Sequence, residues 1–61
     1  MNTYTITTMV PEFSQSVIEG HGFSLDAFSD CYIFTDIHFQ EIFRINKALV
    51  ISIHTKRPLQ N

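Results

Sequence analysis

Five side chains of this sequence could ligate a metal or support nucleophilic chemistry: His21, Cys31, Asp36, His38 and His54. A tetrahedral zinc site needs converging Cys and His donors, and its usual signature is a closely spaced pair of them. One cysteine and three scattered histidines do not supply that signature, and neither Cys-x-x-Cys nor His-x-x-x-His occurs. Asp36 and His38 stand two apart, which on a helix points them in different directions. A nucleophile would need Cys31 or a serine beside a histidine, with a carboxylate to orient it. Cys31, His38 and Asp36 are the set that can be nominated, but any chain with three histidines permits such a choice. A domain of 61 residues can scarcely build a substrate pocket of about 300–1,000 Å³. No catalytic residue, metal or cofactor is assigned, and the chain is not read as an enzyme. Cys31 is read as a small buried hydrophobe.

Gly20-His21-Gly22 lacks the lysine and serine of a phosphate-binding loop. It is read as a loop that exposes His21 as a contact residue. The charges are more informative. All six acids, Glu12, Glu19, Asp26, Asp30, Asp36 and Glu41, precede all four bases, Arg44, Lys47, Lys56 and Arg57. Such a split gives a small body one acidic region and one basic end, which orients charged partners. Asp26, Asp30 and Asp36 are expected on one acidic helix face that docks, with His21, on another protein. The alternative site is the basic set Arg44, Lys47, Lys56 and Arg57, which would hold nucleic acid. Four cations opposed by six acids are few for a phosphate footprint.

The elements that must position these residues follow from local pattern. Thr3–Val10 reads as a strand rich in Thr, Tyr, Ile and Val, with Tyr4, Ile6 and Thr8 on one face. Pro11-Glu12 suits a tight turn. Phe13–Glu19 is open to strand or helix, and the strand is preferred because the first strand needs a neighbour. Ser24 is an expected N-cap, with Asp26 in the first turn of a helix from about Leu25 to Phe34. Leu25, Phe28 and Tyr32 recur there at helical spacing, although Cys31–Thr35 has the composition of a strand. Thr35 or Asp36 is expected to cap a second helix, with Phe39, Ile42 and Phe43 as its apolar stripe and Asn46 as its stop. The competing assignment makes 39–45 a strand that turns at Asn46-Lys47. Ala48–Thr55 is the clearest strand, with Leu49, Ile51 and Ile53 facing one way and Val50, Ser52 and His54 the other. The tail, 56–61, is expected to fray.

The expected fold is therefore α+β. It is a single domain over 1–61, with a three-stranded antiparallel or mixed sheet in β-β-α-α-β order and one or two helices on one face. One cysteine fits a reducing compartment, and no apolar run approaches the roughly 20 residues of a membrane span, so the chain is read as cytoplasmic. Hydrophobic residues make up 44% and charged ones 16%, against about 25% charged in ordinary domains. Six Phe and two Tyr exceed what so small an interior can hide, so a homodimer or an obligate partner protein is expected. Brevity, one compact domain and a lack of catalytic residues resemble the short accessory proteins of phages and mobile elements. That resemblance implies binding to a host protein and its inhibition or modulation. The alternative reading is a small nucleic-acid-binding or regulatory dimer working through the basic end.

Overall fold

The computed structural model describes residues 1–9 and 14–58. Six strands follow one another: β1 (Asn2–Thr8), β2 (Ser14–Gly20), β3 (Gly22–Asp26), β4 (Cys31–Thr35), β5 (Glu41–Asn46) and β6 (Val50–Lys56). A single 3₁₀ turn, Lys47–Leu49, joins the last two. They form two three-stranded antiparallel sheets, ordered β2-β1-β6 and β3-β4-β5. The fold is all-β, and no α-helix occurs among the described residues. The expected α+β arrangement and both of its helices are therefore corrected.

The first error lies at Leu25–Phe34. Leu25 and Tyr32 are cross-strand partners, not neighbours on a helix. The Asp26 carboxylate accepts the Ser29 hydroxyl at 2.7 Å and the Phe28 amide at 3.4 Å, a local bond that competes with helix. Asp30 takes a left-handed φ of 54°, which Asp tolerates better than most residues. The turn so made sends the β-branched and aromatic run Cys31–Thr35 back as a strand. Ser24 caps nothing; it pairs with Ile33 inside the sheet. The second error lies at residues 39–45. β5 is the competing strand assignment, and Asn46 caps the 3₁₀ turn by accepting the Ala48 amide at 2.9 Å.

The alternation expected of the first strand holds: Tyr4, Ile6 and Thr8 are all buried. β2 is a strand as preferred, whereas Val10, the Pro11-Glu12 turn and Phe13 lie outside the described residues. The strand expected at Ala48–Thr55 begins two residues later, and Ala48 and Leu49 belong to the 3₁₀ turn. Lys56, assigned to the tail, is the last residue of β6 and pairs with Thr3. A register shift opposite Thr7 and Thr8 makes Ile51 an extra residue. Ile53 consequently packs on the core, while Leu49 and Ile51 stay exposed.

The two sheets meet through aromatic rings. Tyr4 of β1 lies edge-on to Phe23 at 5.4 Å and to Phe34 at 5.2 Å, and Phe23 stacks on Phe34 at 5.1 Å. Tyr4, Ile6 and Phe34 are the buried centre, and Ile18, Phe43, Ile45 and Ile53 pack around it. The Tyr4 hydroxyl accepts from Asn2 Nδ2 at 3.1 Å, so the buried phenol keeps a partner. His21 is the single residue between β2 and β3. Its amide donates to the Thr35 carbonyl at 2.8 Å, tying the crossing point between the sheets to the end of β4.

Candidate functional site

The three aspartates assigned to one acidic face do not share one. Asp26 and Asp30 flank the β3–β4 turn, while Asp36 lies just beyond the other end of β4. At about 3.4 Å per residue, Asp30 and Asp36 stand roughly 20 Å apart. Each is engaged locally. Asp26 closes its own turn. Asp30 faces Lys47 Nζ at 3.6 Å, and its carbonyl accepts the Lys47 amide at 2.8 Å. Asp36 Oδ1 accepts the His38 amide at 2.8 Å and the Gln40 amide at 3.0 Å. The hydrogen bond from Gln40 holds the Asp36 carboxyl below its ordinary value, and that from Ser29 does the same for Asp26.

The four bases are also divided. Arg44 sits on the outer face of β5 and donates to Glu41, with Nη2 at 2.7 Å from Oε1. That pairing lowers the Glu41 pKa and raises that of Arg44. Lys47 answers Asp30. Lys56 ends β6 in the other sheet, and Arg57 follows it. The set expected to hold nucleic acid is thus divided between β5, the 3₁₀ turn and the end of β6 with the residue after it, with half of it already paired.

Cys31 opens β4 and Asp36 follows its end, a separation of about 17 Å along an extended strand. Cys31, His38 and Asp36 cannot act on one atom. The Cys31 thiol is half-buried and donates to the Ser29 carbonyl at 3.3 Å. His54 lies on the outer face of β6 opposite Thr5. No cluster of three His, Cys, Asp or Glu side chains occurs among the described residues, and none of their helices is long and apolar enough to cross a membrane.

What the geometry does assemble is an apolar corner at the β4–β5 loop, which the sequence reading had placed at a helix start. Asp36 closes this loop at both ends: its amide donates to the Gln40 carbonyl at 3.0 Å, and its carbonyl accepts the Phe39 amide at 3.0 Å. Closure forces Phe39 into the left-handed region at φ 62°. For a bulky L-residue that conformation costs about 1–2 kcal/mol. Phe39 is nonetheless 79% exposed, and Ile37 beside it is 65% exposed. Among the described residues, the Phe39 ring meets the edge of His21, with centroids 6.2 Å apart. Ile42, also exposed, lies against Gly20 next to the His21 crossing. His21 was identified from the sequence as an exposed contact residue, and it is exposed. Phe39 was missed as a surface residue because its spacing was absorbed into a helical stripe with Ile42 and Phe43, and Ile37 was not singled out. The available signal was Asp36 directly after a β-branched, aromatic run, which marks an Asx-type turn. No protein-family profile matches this chain, and neither a curated protein nor a solved structure matches it.

Proposed function

We propose that this chain is a small cytoplasmic protein–protein interaction module, of the accessory type that binds a host protein and inhibits or modulates it. Its docking element is the corner made by His21, Ile37, Phe39 and Ile42. The observation that carries this reading is Phe39, a large apolar ring held in a strained backbone conformation and displayed to solvent. Strain of this kind gathers where a side chain is presented for binding. Glycine would close the same loop without the penalty, so the ring adds surface that the fold itself does not need. Aromatic side chains in desolvated pockets dominate binding energies between proteins.

Phe39→Gly is the test. Removing the strain should raise thermal stability, by up to about 1 kcal/mol. It should also abolish retention of a stoichiometric partner captured by the wild-type protein from bacterial lysate at moderate salt. A variant that is stabilised and still retains the same partner removes the corner from the proposal.

A further inference from the structure

We draw no further inference here: the strongest candidate, the tip of the β3–β4 hairpin where Phe28 stands fully exposed between Asp26 and Asp30, carries none, because nothing in the structure shows what covers that ring.

Discussion

Asp36 shows how much one side chain organises here. Its carboxylate and backbone together close the loop that carries Phe39. The acceptor role has a pH signature. The carboxyls of Asp36 and Asp26 lie below their ordinary 3.8, and that of Glu41 below 4.5. A carboxyl whose pKa is depressed on folding contributes stability that is complete above the unfolded value and is lost as pH falls through the folded one. The melting temperature should therefore be level above about pH 5 and drop below about pH 4. Asp36→Asn keeps the Oδ1 acceptor but removes one titrating group, so its melting temperature should fall less steeply. Melting curves recorded for both proteins across this range check the point. Parallel acid profiles for the two would mean that Asp36 does not supply the dependence.

At the scale of elements, the glycines on either side of His21 do different jobs. A Cβ on Gly20 would stand 3.2 Å from the Thr35 carbonyl oxygen and 3.2 Å from Ile42 Cδ1. The backbone oxygen cannot move without disturbing β4, so Gly20→Ala should destabilise by about 1–3 kcal/mol. Gly22 has nothing within 4 Å of such a carbon, and Gly22→Ala should be neutral or gain up to about 1 kcal/mol. Urea unfolding of the two variants distinguishes them, and equal midpoints would refute the close approach at Gly20.

The strands were legible where alternation was clean. Tyr4, Ile6 and Thr8 gave the buried face of β1 directly; β2 followed from the first strand's need for a neighbour, and β6 from its own alternation. The middle of the chain was not legible, because Leu25, Phe28 and Tyr32 match helical spacing and also match a hairpin whose tip is Phe28. Deciding between them requires knowing that Asp26 bonds back to its own turn, which is a geometric fact and not a periodic one. Reading Asp26, Asp30 and Asp36 as one acidic surface failed for the same reason. The Phe39 corner depends on contacts between His21 and a loop 18 positions later, and no local pattern reports those.

The molecule as a whole is flat, 38 × 25 × 13 Å, and fully buries only Tyr4, Ile6 and Phe34 among its described apolar residues. Its two sheets are built from very different chain separations. β3, β4 and β5 are successive hairpins joined by short loops. β1 is completed by β6, with Tyr4 beside Thr55, a closure over roughly fifty positions whose entropy must be lost before any bond forms. The order of assembly follows: the β3–β4–β5 meander forms early and the β1–β6 seam closes last, so folding is slow for so short a chain. Stopped-flow kinetics should then show Phe43→Leu slowing refolding, and Ile53→Val mainly speeding unfolding; the reverse partition would place the seam in the nucleus. Until that seam closes, β1 exposes a vacant flank of its own, and a nascent chain in this state can accept a β6 strand from a neighbour. The time spent waiting for β6, more than the stability of the finished fold, sets the risk that two chains exchange strands.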